Sequence, residues 1–272
     1  MSKFAIECAC ILEFMAFLLP QTIALDFDGI ICDGLLEYFQ TAWQVYRTTW
    51  PTSNSTPPKF LAETFYRLRP VVGTGWEMPI LLRAAIKGFS ETSILEQWPS
   101  ICTRIVAEED LNLQNIGHQV DAVRDRWIQQ NLEEWLELHH FYPGVIAQLQ
   151  RWQAAGVPLW IITTKESRFV VQLLATAGVT LPSTQIYGKD SQQPKPETLR
   201  QLQGTTPLPI WFVEDRLATL QKIKTQDDLK DIGLFLGDWG YNTPRDRHIA
   251  QQDERITLIT LAQFQQEFTS WT

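Results

Sequence analysis

The stretch Thr22-Ile23-Ala24-Leu25-Asp26-Phe27-Asp28-Gly29 decides the fold: an apolar run stops abruptly at two carboxylates and a glycine. A short run without polar alternation reads as a strand buried on both faces, and the Asp-x-Asp-Gly that ends it reads as a polar loop. Two runs further along have the same shape. Val157-Pro158-Leu159-Trp160-Ile161-Ile162 ends in Thr163-Thr164, and Leu208-Pro209-Ile210-Trp211-Phe212-Val213 ends in Glu214-Asp215. Leu234-Phe235-Leu236 and Ile256-Thr257-Leu258-Ile259 read as later strands. Helical patterns separate them: Val145 to Ala155 stopped by Gly156, Ser167 to Ala177 stopped by Gly178, and Pro196 to Leu202 followed by Gly204. Strands alternating with helices predict the α/β class, a Rossmann-like parallel sheet with helices on both faces. The polar strand ends then converge at the carboxyl edge of the sheet.

Between about Gly34 and Phe141 the pattern becomes helical. From Leu113 to Leu138, Val120, Val123, Trp127, Leu132 and Trp135 recur at helical spacing, which predicts one long helix with Trp127 and Trp135 on a shared packing face. The Pro/Ser/Thr-rich piece Pro51 to Pro58 is a loop within this region, and Tyr142-Pro143-Gly144 marks the return to the sheet. The expected organisation is a sheet domain of residues 20–34 and 141–272, with an inserted all-helical domain over 35–140. Residues 1–19 are expected to be an N-terminal extension, with Met15 as a candidate true start.

Charge and cysteine usage exclude several classes. With 23 Lys+Arg against 31 Asp+Glu, the net charge of -8 repels phosphate backbones and anionic bilayers, so no nucleic acid and no membrane is expected as a partner. Cys8, Cys10, Cys32 and Cys102 lack the paired spacings of a zinc site and are too few for a disulfide framework, which suits a reducing, cytoplasmic setting. The apolar stretch Phe4 to Leu19 is interrupted by Glu7 and Glu13, is followed by no small-residue cleavage site, and is short for a membrane span. His118, His139, His140 and His248 have no ligand spacing.

The strand ends carry the candidate chemistry. An ionised aspartate is a competent nucleophile toward phosphorus, and a second carboxyl group beside it can give and take a proton. Asp26 and Asp28 have that relation, although an Asp-Gly turn with solvated acids has the same letters. Thr163 offers a hydroxyl and a backbone N–H to a phosphoryl oxygen, Lys195 a neutralising charge, and Glu214 with Asp215 oxygen ligands for a hard cation such as magnesium. Each also has a plain structural reading: a strand-terminal hydroxyl, a solvated loop lysine, and an acidic pair at a helix N-terminus beside Arg216. Their order and their placement at strand ends favour one shared site.

In that order the chain resembles the haloacid dehalogenase superfamily, phosphoglycolate-phosphatase-like subgroup. The matching motifs are Asp26-x-Asp28-Gly29 after an apolar strand, the threonine closing Trp160-Ile161-Ile162-Thr163, Lys195-Pro196, and Glu214-Asp215 closing Ile210-Trp211-Phe212-Val213. The resemblance implies Asp26 as nucleophile and magnesium (Mg2+) ligand, and Asp28 as acid/base and as ligand through its backbone carbonyl. It further implies that Thr163 and Lys195 hold the phosphoryl group and that Asp215 is the main second metal carboxylate, with Glu214 binding directly or through water. The presence of Asp28 favours phosphate over carbon–halogen chemistry, because a leaving alcohol needs an acid there. Ile30 stands where the family often has threonine, Glu214 where many relatives have glycine or aspartate, and Thr219 where some have another acid. Lys189 competes with Lys195 for the neutralising role.

The helical insert lies between the first and second motifs, the position of the cap in that subgroup. Candidate substrate-binding groups are Gly29, Asp33 and Thr164 near the motifs and, in the insert, Arg67, Arg69 and Arg83 flanking the turn Gly73-Thr74-Gly75. That turn has the backbone donors to meet the non-phosphate end of a substrate, or it is an interhelical turn among surface arginines. Asp33 reaches a substrate hydroxyl or caps the following helix. Trp239-Gly240-Tyr241-Asn242 resembles a post-strand loop of the subgroup that lines the crevice. The resulting expectation is a magnesium-dependent phosphatase acting on a small phosphorylated metabolite through an aspartyl-phosphate. A phosphomutase or a silent binding protein on the same fold are the alternatives, and the tryptophan-rich insert is a candidate homodimer face.

Overall fold

The computed structural model describes residues 19–51 and 54–271. The expected N-terminal extension (save Leu19), Met15 as a start, and Cys8 and Cys10 therefore lie outside the described residues. Strands are β1 (Thr22–Leu25), β2 (Cys32–Asp33), β3 (His140–Phe141), β4 (Leu159–Ile162), β5 (Ile186–Tyr187), β6 (Ile210–Glu214), β7 (Gly233–Gly237) and β8 (Ile256–Ile259). Six of them form one parallel sheet in the order β5-β4-β1-β6-β7-β8. β1 is buried along its length because it is central: Leu25 sits between Ile161 of β4 and Val213 of β6. The chain builds outward from β1 on both sides, so its carboxyl end is the point where neighbouring connections part to opposite faces. Asp26 is the first residue beyond it.

The two faces are filled by alternating residues of the same strands. Ala24, Ile162, Phe212, Leu234 and Leu236 pack with Leu199 and Leu202 of the helix Lys195–Gln203 and with Leu217, Leu220 and Ile223 of the helix Leu217–Lys224. Their neighbours Trp211 and Phe235 belong to an aromatic layer, with ring centroids 4.5 Å apart, that Trp152, Phe264, Phe268 and Trp271 complete. Burying these large rings is a major part of what holds the sheet to its covering helices. β5 has no counterpart in the sequence reading, since two residues are too few to show a period.

The chain divides into two compact units, one of residues up to Cys32 and from Phe141 onward, the other Asp33–His140. It passes between them at β2 and β3, which pair with each other. The second unit is helical: Leu35–Thr49, Leu61–Leu68, Glu77–Ile86, Glu91–Glu108, Leu113–Gln130 and Leu132–Glu137. The long helix expected from Leu113 to Leu138 is in fact two. Asn131 leaves helical geometry at φ -156° and its side chain accepts the Glu134 N–H, capping a second helix, so Trp127 and Trp135 do not share one helix face. The helix Glu91–Glu108 is likewise kinked, at Gln97, two residues before Pro99. Inside this unit the fully buried Glu37 takes Arg124 Nε at 2.7 Å and Nη2 at 3.0 Å, and the Thr41 hydroxyl at 2.7 Å.

Candidate active site

Asp26 is held by the strand it ends. Its N–H donates to Val213 O at 2.9 Å, continuing the ladder to β6, and its Oδ1 accepts the Phe27 N–H at 2.7 Å. The loop then folds on itself: Ile31 and Cys32 both donate N–H to Phe27 O, and Gly29 donates to Cys32 O. Gly29 has φ +86°, and a Cβ there would lie 2.2 Å from Asp215 Oδ2, so only glycine fits between the first and last motifs. Lys195, at the start of its helix, places Nζ 2.7 Å from Asp26 Oδ2 and 2.7 Å from Glu214 Oε2. Lys195 thus stands at Asp26, whereas the N–H of Lys189 donates to Lys165 O at 2.9 Å.

Glu214 is completely buried. Its Oε1 accepts the N–H groups of Asp215 and Arg216 at 3.1 and 3.0 Å while Oε2 faces Lys195, so both oxygens already have partners. Asp215 is gripped from the loop after β7: Tyr241 N–H donates to its Oδ2 at 2.9 Å, and Asn242 Nδ2 donates to its backbone O at 3.1 Å and to Gly237 O at 2.8 Å. Gly240 permits the approach, since a Cβ there would sit 2.3 Å from Asp215 Cβ. The loop Trp239-Gly240-Tyr241-Asn242 therefore acts on Asp215.

One carboxylate oxygen from each of Asp26, Glu214 and Asp215 lies within 4.8 Å of the others. Three buried acids against one buried ammonium leave excess negative charge, and the acids respond. Burial, then the charge of Glu214, push Asp26 up to about 7 against the opposing pull of Lys195. Burial also raises Glu214, which Lys195 opposes, and raises Asp215, which Asp26 reinforces. Burial alone would lower Lys195, but Asp26 and Glu214 outweigh it and raise it. A hard divalent cation with oxygen ligands answers both the donor set and the charge imbalance.

At the end of β4, Thr163 differs from expectation. Its N–H donates to Tyr187 O at 2.9 Å as part of the ladder to β5, so the amide foreseen for a phosphoryl oxygen is committed to the sheet and only the hydroxyl is left for that role. That hydroxyl accepts the Lys165 N–H at 3.2 Å. Thr164 is exposed. Lys165, which the sequence reading passed over, lies with Nζ 3.3 Å from Asp28 Oδ1. A cation two residues beyond the strand-end threonine was the available signal.

In the helical unit, several candidates have partners of their own. The Gly73 and Thr74 N–H groups both donate to the Glu77 carboxylate, at 3.2 and 3.0 Å, which corrects the expectation that this turn offers them to a ligand. Arg67 is tied to Glu91 at 2.6 Å, and Arg83 to Glu109 at 3.0 Å while covering the Trp50 ring. Gly75 packs near Val120. Arg69 lies over the Tyr38 ring at 4.8 Å and donates to Val72 O. Asp33 Oδ1 accepts the Leu35 N–H at 2.9 Å, the capping alternative.

Among the described residues no helix is long and apolar enough to cross a membrane. A family model described as haloacid dehalogenase-like hydrolase matches residues 20–224. A Pseudomonas putida protein named "Probable phosphoglycolate phosphatase" is 31% identical over 156 residues, 53% of this chain. The chain spans only 59% of that relative's length. Among solved structures, a predicted phosphoglycolate phosphatase from Haemophilus somnus aligns over 87% of this chain and 92% of its own, with TM-score 0.53 and 17% identity. A hydrolase from Pseudomonas syringae aligns over 89% and 94%, with TM-score 0.51 and 10% identity. At those identities the likeness is one of fold.

Proposed function

Because this chain belongs to the haloacid dehalogenase-like hydrolases, we propose that its carboxylate cluster hydrolyses a small phosphomonoester through an aspartyl-phosphate on Asp26. The observation that carries the reading is the Asp26–Lys195–Glu214 chain of contacts beside Asp215, a nucleophile held next to a fixed cation and a second acid. The Asp26 carboxylate attacks phosphorus, the bond from phosphorus to the substrate's alcohol oxygen breaks, and that oxygen takes a proton from the Asp28 carboxyl. Water then attacks the same phosphorus and gives its proton to Asp28, the bond to Asp26 breaks, inorganic phosphate leaves, and both carboxyl groups are restored.

Lys195 and the Thr163 hydroxyl hold the phosphoryl oxygens. Glu214 fixes Lys195 at 2.7 Å, which keeps the ammonium beside Asp26. Asp26, Asp215 and the backbone carbonyl of Asp28 are the groups assigned to magnesium, with Glu214 beside them. The ion supplies charge neutralisation between an anionic nucleophile and an anionic ester. The helical unit is assigned the role of a substrate-selecting cap. A reducing cytoplasm suits the buried free thiol of Cys102.

The test is phosphate release from a panel of small phosphomonoesters, with and without magnesium, for the intact chain and Asp26→Asn. The name of the Pseudomonas putida relative puts 2-phosphoglycolate first on that panel. Magnesium-dependent release that the substitution abolishes supports the reading. Release that survives Asp26→Asn refutes it.

A further inference from the structure

We propose that Lys165 is a positioning residue for the acid/base carboxyl of Asp28, gripping one oxygen so that the other is presented for proton exchange. The inference rests on the phosphatase reading above and adds to it a residue that the motif set does not contain.

The sheet brings the two residues together. Leu25 of β1 pairs with Ile161 of β4, so the loops carrying Asp28 and Lys165 leave the sheet side by side. Lys165 Nζ lies 3.3 Å from Asp28 Oδ1, with the lysine side chain 8% and the aspartate side chain 17% exposed. Asp28 Oδ1 is itself shielded from solvent and accepts no hydrogen bond. A carboxylate oxygen withdrawn from water is costly unless a cation faces it, so the Lys165 ammonium makes this side-chain orientation tenable. Neutralised or removed, it leaves Asp28 to turn its carboxyl toward water.

The lysine is anchored for such a task. Its N–H donates to Thr163 Oγ1 at 3.2 Å, and its carbonyl accepts the Lys189 N–H at 2.9 Å. The turn carrying Lys189 is pressed onto the Lys165 loop: a Cβ at Gly188 would lie 2.5 Å from Lys165 O. Ser167 N–H donates to Asp190 Oδ1 at 2.7 Å, and Gly188 N–H donates to Ser167 Oγ at 3.1 Å. The segment Gly188-Lys189-Asp190 thereby buttresses the loop from which Lys165 reaches Asp28.

The proton that Asp28 delivers matters in proportion to how poor the leaving group is. An alkoxide needs it and a nitrophenolate does not. A group that positions Asp28 must therefore affect alkyl esters far more than p-nitrophenyl phosphate, whereas a group that only supports the fold affects both alike. The readout is kcat/KM, which covers the steps up to departure of the alcohol.

The experiment compares the full chain with Lys165→Met, Lys165→Arg and Asp28→Asn in magnesium, on 2-phosphoglycolate and on p-nitrophenyl phosphate. Lys165→Met is expected to lower kcat/KM on the alkyl ester about 10- to 100-fold and on the aryl ester less than about threefold, a part of the 10²–10⁴ that acid–base catalysis typically supplies. Lys165→Arg should restore most of the loss, and Asp28→Asn should discriminate in the same sense and more strongly. Equal losses on both esters, or none, overturn the proposal. If Lys165→Met unfolds, Lys165→Gln takes its place with the same criterion. Unmodified protein that hydrolyses neither ester, nor any other on the panel, refutes the phosphatase reading itself and the positioning role with it.

Discussion

Replacing Asp26 with asparagine should make the metal-free protein more stable at alkaline pH while abolishing turnover. Burial first, and the charge of Glu214 second, lift this carboxyl from 3.8 to about 7 in the fold, with Lys195 pulling the other way. Between those values the folded chain holds a proton that the unfolded chain has lost. The contribution of this group to stability is therefore complete below about pH 4 and is lost as pH rises through about 7. At about 1.4 kcal/mol per pH unit, the decline amounts to roughly 4 kcal/mol at most. Asparagine cannot ionise and escapes that decline, and because the pull of Lys195 is already contained in the value of about 7, a gain approaching that roughly 4 kcal/mol at pH 8 is expected. Urea unfolding in EDTA at about pH 4.5 and about pH 8 measures it, together with the response of Lys195 and Asp215, both of which Asp26 also raises. Magnesium should stabilise the unmodified protein at the higher pH and the variant much less. A variant-minus-parent difference that does not change with pH, or that falls as pH rises, would refute the claim that Asp26 is a strained buried charge awaiting a cation.

Gly240→Ala places a methyl 2.3 Å from Asp215 Cβ and 2.6 Å from Gly29 O, so kcat/KM should fall by at least about 100-fold, with weaker magnesium binding by calorimetry. Glu214→Gln keeps an oxygen for the Asp215 and Arg216 N–H groups but not the ion pair to Lys195, and kcat should drop about tenfold or more in steady-state assays. Asn242→Ala removes the donor from two buried carbonyls, Asp215 O and Gly237 O, and should cost about 2–3 kcal/mol by chemical denaturation.

The central strands are legible in the sequence because a parallel strand covered on both faces is mostly apolar at consecutive positions, as Ile23–Leu25 and Ile210–Val213 are. Lys195 is legible because Lys-Pro before a helical pattern is a local signal. Asn131 is not. It lies inside a stretch whose apolar spacing continues across it, and only the cap it makes to Glu134 shows that the helix restarts. Gly73 and Thr74 mislead for a similar reason: a Gly-rich turn advertises N–H donors, but Glu77 follows closely enough to accept both.

The sequence by itself determined the fold class and the roster of strand-end residues, because hydrophobic runs and the abrupt polar stops after them are properties of neighbouring positions. Only the tertiary structure decided what each of those residues touches. It committed the Thr163 amide to Tyr187, set Glu214 against Lys195, pressed Gly29 and Gly240 onto Asp215, and brought Lys165 to Asp28. Those contacts join loops from strands far apart in the chain. Which loop meets which follows from the order β5-β4-β1-β6-β7-β8, and strand order is a choice made by packing that no local pattern records.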